Sequence, residues 1–177
     1  MSSAGQPGGE DHFQRVKWNG WGDKAKVMKV DDTDPFVIIH PSGKRMHNLA
    51  KFIHEEINGG EGPMQKLERS PSIPVEEAME KLPPVVLNAA FVEQLGKGLK
   101  ADQIKQDPES RLTHIFGKNY RDLWRMRKGM FARAPDAVVL PESHDDCVKL
   151  MDAATKHNVV LIPYGGGTNV TGCIEPS

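Results

Sequence analysis

Residues 163–169, Pro-Tyr-Gly-Gly-Gly-Thr-Asn, carry the strongest chemical signal in the sequence. Three consecutive glycines let neighbouring backbone N–H groups converge without Cβ clashes, and such a nest suits a phosphate oxygen. Thr168 and Asn169 add side-chain donors. Two common phosphate-loop templates do not fit. A G-x-G-x-x-G pattern begun at Gly165 ends on Val170. A G-x-x-x-x-G-K-[S/T] pattern begun at Gly167 reaches Gly172, but Cys173 holds the lysine position. Val170 and Thr171 are β-branched and make a poor helix start. The loop is therefore of neither the dinucleotide type nor the P-loop type. Phosphate or pyrophosphate binding is the favoured reading, and a tight structural turn is the alternative.

Elsewhere the reactive side chains do not assemble. His40, His47 and His54 recur every seven residues, but Pro41 and Gly43 break any helix between the first two. On a helix, positions seven apart lie roughly 10 Å apart. One ion with metal–nitrogen bonds of about 2 Å cannot bridge that, so no metal site is expected. Cys147 and Cys173 are the two cysteines; they show no metal-type spacing and read as reduced thiols. His144-Asp145-Asp146 falls in the first turn of a helix, where acidic residues favour the helix dipole. Residues 111–133 set Arg111, Lys118, Arg121, Arg125, Arg127, Lys128 and Arg133 against Asp122 alone, with Phe116, Tyr120 and Trp124 among them. This reads first as a solvated face that pairs with another part of the protein, second as contact with an anionic ligand or lipid surface, and least as a nucleic-acid site. No nucleophile–base pair or paired carboxylate can be argued, so no catalytic residue is assigned.

The elements that must position the loop come from periodicity and punctuation. The chain has 177 residues, 27% of them charged, with a formal net charge of -1. Those totals fit one domain or two small ones and favour neither nucleic acid nor an anionic membrane as partner of the whole chain. No apolar run is long enough to span a membrane. Trp18 and Trp21 are expected to plug onto a neighbouring surface. Residues 25–30 and 36–40 flank the turn Asp31-Asp32-Thr33-Asp34-Pro35 and predict a hairpin. A helix over about 47–57 carries Leu49, Phe52, Ile53 and Ile57 on one stripe and stops at Gly59-Gly60. Residues 58–74, rich in Gly and Pro, read as a linker. Helices follow over 74–82, 88–96, 108–116 (capped by Asp107) and 119–129 (capped by Asn119). From Pro135 the pattern changes. Residues 137–140 predict a strand, Ser143 opens a helix with Asp146 as capping-box partner, and residues 159–162 predict a second strand. That is a βαβ unit with parallel strands, and the glycine loop lies at its C-terminal edge, where α/β sheets bind ligands.

The run "MRKGMFARAPDAVVLP" (126–141), followed by "SHDD" and "IPYGGGTNVTG", resembles the start of the flavin domain of the alkylglycerone-phosphate synthase (alkyldihydroxyacetonephosphate synthase) family. The wider class is the FAD-linked oxidases of the vanillyl-alcohol oxidase type. "KWNGWG" (17–22) and "LPPVVLNAAFVEQL" (82–95) are similar to that family's N-terminal region and favour it within the class.

This resemblance implies an α+β fold: a disordered leader over 1–15, a mostly helical region with a short hairpin over 16–132, and the first βαβ unit of an FAD-binding α/β domain over 133–177. It implies FAD as cofactor, held by Pro163, Tyr164, Gly165, Gly166, Gly167, Thr168 and Asn169. The loop has no His of the kind some relatives use to tether flavin, so the FAD is expected to be non-covalent. The family exchanges the acyl chain of acyl-dihydroxyacetone phosphate for a fatty alcohol, with no net redox change, using the flavin as a covalent trap for the substrate carbon. It also implies a homodimer, peripheral membrane contact and a peroxisomal location, although no N-terminal import signal is visible. The family's catalytic residues follow this loop, so the resemblance implies an N-terminal fragment, inactive and without retained FAD. A flavin-dependent 2-hydroxyacid dehydrogenase of the same class is the alternative, against which "KWNGWG" argues; a non-catalytic truncated product is another.

Overall fold

The computed structural model describes residues 16–67 and 71–176; the leader expected over 1–15 lies outside them. The chain divides into two compact units. One holds the described residues up to Lys17 and from Trp21 to Pro71, and the other holds Trp18–Gly20 and the residues from Ser72 onward. The division falls inside the stretch read as a linker, 58–74, and not at residue 133.

The first unit is a three-stranded antiparallel meander with a helix. Strands β1 (Lys29–Val30), β2 (Ile38–Ile39) and β3 (Arg45–Met46) pair in that order, so the expected hairpin forms and gains a third strand. Its turn closes on Asp31, whose Oδ1 accepts from the Thr33 N–H, the Thr33 hydroxyl and the Asp34 N–H. Those Thr33 bonds hold the Asp31 carboxyl below its usual range, and Arg45 pairs with it from β3. Helix α1 (Asn48–Phe52) runs directly into a π-helical turn (Ile53–Ile57), and Gly59 and Gly60 close it with left-handed backbones. A π turn adds a residue per hydrogen-bonded ring and rotates the faces of the helix. Ala50 becomes the buried residue, while Leu49, Phe52 and Ile57 remain exposed.

The second unit contains helices α2 (Val75–Glu80), α3 (Ala89–Gly96), α4 (Pro108–Thr113), α5 (Tyr120–Lys128) and α6 (His144–His157). Four of these five helix starts are capped by a side chain. The side chains of Asn88, Asp107, Asn119 and Ser143 accept from the N–H groups of Phe91, Ser110, Asp122 and Asp146 respectively, satisfying donors that a helix leaves open. Asp146 also accepts from the Glu142 N–H and from Gln103 Nε2, and the Gln103 bond leads in lowering its pKa.

Two apolar clusters hold this unit. One joins Ala78, Leu112, Ile115, Phe116, Leu123, Met126 and Phe131, with Trp18 packed against it. Trp21, by contrast, is 58% exposed. The short turn closed by Lys17 N–H to Gly22 O leaves the two tryptophans in different units. The other cluster joins Phe91, Leu95, Leu99, Ala153 and Ala154, flanked by Val139, Val159 and Leu161.

The expected parallel strand pair is corrected here. Strand β5 (Val138–Val139) pairs antiparallel with β4 (Ile104–Lys105), an element that was not foreseen. The segment 103–105 takes up the β5 backbone, and the Leu140 N–H bonds Gln103 O. Residues 159–162 make no ladder bonds among the described residues. They keep a strand's alternation all the same: Val159 and Leu161 pack inward, while Val160 and Ile162 are exposed.

Arg111, Lys118, Arg125 and Arg127 of the basic cluster bond within the protein, the pairing that the first reading expected, but they do so away from a solvated face. Arg111 is buried and donates to the carbonyls of Pro83 and Pro135. Arg127 donates to Asn19 O. Arg125 pairs with Glu175 at 2.6 Å and lies 5.3 Å over the Phe116 ring. Lys118 donates to Trp18 O, and burial lowers its ammonium to about 8. Arg121 and Lys128 stay exposed beside Tyr120 and Trp124.

Two stability tests follow from this packing. Gly129 ends α5 at φ +64, where an added Cβ meets only flexible side-chain ends, Lys81 Cδ at 2.6 Å and Ile73 Cδ1 at 2.7 Å. Gly129→Ala therefore costs about 1–2 kcal/mol, chiefly the left-handed penalty. Gly96→Ala, with nothing within 4 Å, is neutral or stabilises by up to about 1 kcal/mol; urea melts measure both. The Lys118 amine gives a pH test. Its folded value, about 8, lies below its ordinary 10.5. Above about 8 the unfolded chain keeps a proton that the native chain has released, so native stability rises up to about 10.5. Below 8 the burial penalty is fully present. The unfolding free energy of the native chain minus that of Lys118→Met is expected to grow between those pH values; a flat difference contradicts a desolvated amine.

Candidate functional site

The glycine loop is fastened at both ends to one turn, residues 113–118, between α4 and α5. At its start, the Tyr164 hydroxyl donates to Thr113 O at 2.9 Å, with Phe116 O also within reach at 3.4 Å. The Tyr164 ring lies 4.7 Å from the His114 ring, and burial pushes the phenol up to about 12. At its end, Asn169 O accepts from the Lys118 N–H at 2.6 Å. An added Cβ at Gly117 would overlap that carbonyl, meeting its carbon at 3.2 Å. Further along, the Arg125–Glu175 pair holds the chain against α5.

Within the loop, each expected residue has a distinct place. Gly167 is buried at φ +65, and an added Cβ would run into the Tyr164 ring, with Cζ at 2.6 Å. Only glycine serves both requirements. Gly165 and Gly166 are exposed, with no heavy atom closer than 3.8 Å to an added Cβ. Pro163 and Thr168 are exposed as well. The Asn169 side chain shapes the next turn. Its Oδ1 accepts from the N–H groups of Thr171, Gly172 and Cys173, and its Nδ2 donates to Thr171 Oγ1 and Cys173 Sγ. Bonds from Thr171, then Asn169, lower the Cys173 thiol.

What remains open is the backbone. The N–H groups of Gly165, Gly166, Gly167 and Thr168 form no hydrogen bond among the described residues. Four consecutive N–H groups without a partner among the described residues are donors of the kind that suits an oxyanion. A pyrophosphate fits that donor set, since it brings charged acceptors and needs backbone to approach closely. Tyr164 through its hydroxyl and Asn169 through its backbone carbonyl fasten the two ends of the loop to the 113–118 turn. The residues the sequence reading missed, Thr113, Gly117 and Lys118, lie about fifty positions upstream. Gly117 reads in sequence only as a helix stop. No three His, Cys, Asp or Glu side chains converge as a metal site among the described residues. No described helix is long and apolar enough to cross a membrane.

Comparison with known proteins bears on the stretch that holds this loop. A family model described as FAD binding domain matches residues 135–175. The chain is similar to an alkyldihydroxyacetonephosphate synthase of Trypanosoma brucei brucei, 52% identical over 94% of this chain and 27% of that protein. It is similar to another of Dictyostelium discoideum, 39% identical over 94% of this chain and 28% of that protein. A solved structure of an alkyldihydroxyacetonephosphate synthase matches at 36% identity and a TM-score of 0.76, covering 96% of this chain and 31% of the other. By sequence and by fold, this chain matches alkyldihydroxyacetonephosphate synthases along nearly its whole length while spanning under a third of theirs, and it carries part of an FAD binding domain.

Proposed function

We propose that residues 163–169 form the pyrophosphate cradle for FAD in an enzyme that exchanges the acyl chain of acyl-dihydroxyacetone phosphate for a fatty alcohol. The observation that carries this is the row of four unbonded N–H groups, Gly165 to Thr168, fastened at Tyr164 and Asn169 within the stretch that matches an FAD binding domain. When bound, FAD would supply an electrophilic ring to the exchange of the acyl group for the alcohol. This chain's own part is to bind and orient. The loop amides take the pyrophosphate oxygens, and the bare faces of Gly165 and Gly166 admit them closely. Tyr164 and Asn169 keep those amides aligned, so the loop is ordered before the ligand arrives, which lowers the ordering cost of binding. The same reading assigns the whole protein to peroxisomes, as a homodimer in peripheral contact with a membrane that delivers its lipid substrates.

A chimera tests the reading. This chain replaces the matching segment of the Trypanosoma brucei brucei relative. The chimera is expected to purify yellow with flavin and to incorporate labelled fatty alcohol into acyl-dihydroxyacetone phosphate. In the same chimera, Gly166→Trp fills the cradle. Losing two charge-assisted bonds of about 1.5–3 kcal/mol each lowers FAD affinity by roughly a hundredfold or more. A colourless parent chimera, or a Gly166→Trp chimera that keeps its flavin, overturns the proposal.

A further inference from the structure

We infer that the Thr113–Lys118 turn is the positioning element of the flavin loop, and that Gly117 sets the loop's height by having no side chain. This rests on the flavin reading of residues 163–169 and assigns the residues that make that site competent.

The turn is a rigid support. Ile115 and Phe116 are buried in the first apolar cluster at 0% and 2% exposure. Phe116 also lies under the Arg125 guanidinium and at 6.4 Å from the Phe131 ring. Moving the turn therefore means disturbing the cluster. Against this support, the loop is held by two kinds of contact. The Tyr164 hydroxyl reaches Thr113 O, and the ring is set between His114 and the notch at Gly167. The Asn169 carbonyl lies on Gly117 and bonds the Lys118 N–H.

The Gly117 contact is backbone against backbone. At Gly98 and Gly129, by contrast, an added Cβ meets side-chain ends that can rotate away, such as Lys149 Cδ at 3.1 Å from Gly98. At Gly117 the neighbours are the carbonyl oxygen and carbon of Asn169, together with its Cβ. The overlap can be relieved only by lifting residue 169, which also breaks its bond to Lys118 one residue on. Residue 169 directly follows the four donors, so lifting it rotates their N–H groups off a common target. Gly117 and Tyr164 are thus positioning residues; neither is placed against the ligand.

The 177-residue chain, labelled with nitrogen-15, is titrated with inorganic pyrophosphate and with FAD while amide resonances are followed. In the native chain the Gly165–Thr168 amides shift saturably. Gly117→Ala and Tyr164→Phe are expected to raise both dissociation constants roughly tenfold to a hundredfold, the scale of loss from small misplacements, with core amides such as those of Ile115 and Leu123 unmoved. Leu95→Ala, in the other cluster, lowers the melting temperature and leaves the dissociation constants as they were. Native dissociation constants in both loop variants overturn the inference. So does an equal weakening by Leu95→Ala, which makes the effect one of general stability. No response of the native loop to either ligand counts against the flavin reading. The positioning role is then decided by hydrogen exchange without ligand. It stands if Gly117→Ala speeds exchange of the Lys118 amide about tenfold or more, and it falls if that exchange is unchanged.

Discussion

A backbone carbonyl, that of Asn169, sits 2.6 Å from the amide nitrogen of Lys118, and it has room there because residue 117 lacks a side chain. The candidate site depends on that approach. A glycine-rich loop left to itself samples many backbone states, since glycine loses the most freedom on ordering. Here one end is fixed by a tyrosine hydroxyl and the other by a peptide hydrogen bond, both on the same turn. The residues between them need no side chain to hold shape, and their N–H groups stay available.

The same turn links the first apolar cluster to the glycine loop. Its apolar residues close the first cluster, and its polar backbone faces the loop. The surrounding cations follow suit. Arg111 ties α4 to the carbonyls of Pro83 and Pro135, and Arg125 ties α5 to Glu175 beyond the loop. A cluster that in sequence reads as a solvated, paired face is in large part an internal fastening. Arginine suits that work because its planar fork can satisfy carbonyls while its plane lies on an aromatic ring.

Much of this was legible in the sequence, for local reasons. Asp107, Asn119 and Ser143 announce helix starts because a short polar side chain ahead of an apolar rhythm has one good use. The Asp31–Pro35 turn announces the hairpin in the same way. What stayed hidden depends on distance along the chain. Strand β4 is two residues long and exists through pairing with β5, more than thirty residues on. The π turn after Phe52 follows no recognisable motif, and it moved Leu49 and Ile57 off the buried face. For the loop, residue types point to a phosphate-type nest but not to its supports. Tyr164 and Asn169 read as ligand contacts because nothing in their neighbourhood shows that Thr113 and Lys118 face them.

The central claim is that four backbone N–H groups of this loop grip the pyrophosphate of FAD. A crystal structure of the chimeric synthase with FAD bound tests it most directly, through the distances from the pyrophosphate oxygens to the amide nitrogens of Gly165, Gly166, Gly167 and Thr168. The account predicts oxygens within hydrogen-bond reach, about 3 Å, of at least two of these nitrogens, with Tyr164 and Asn169 still bound to the 113–118 turn. A pyrophosphate seated elsewhere, or reached mainly by the Tyr164 and Asn169 side chains, would contradict it.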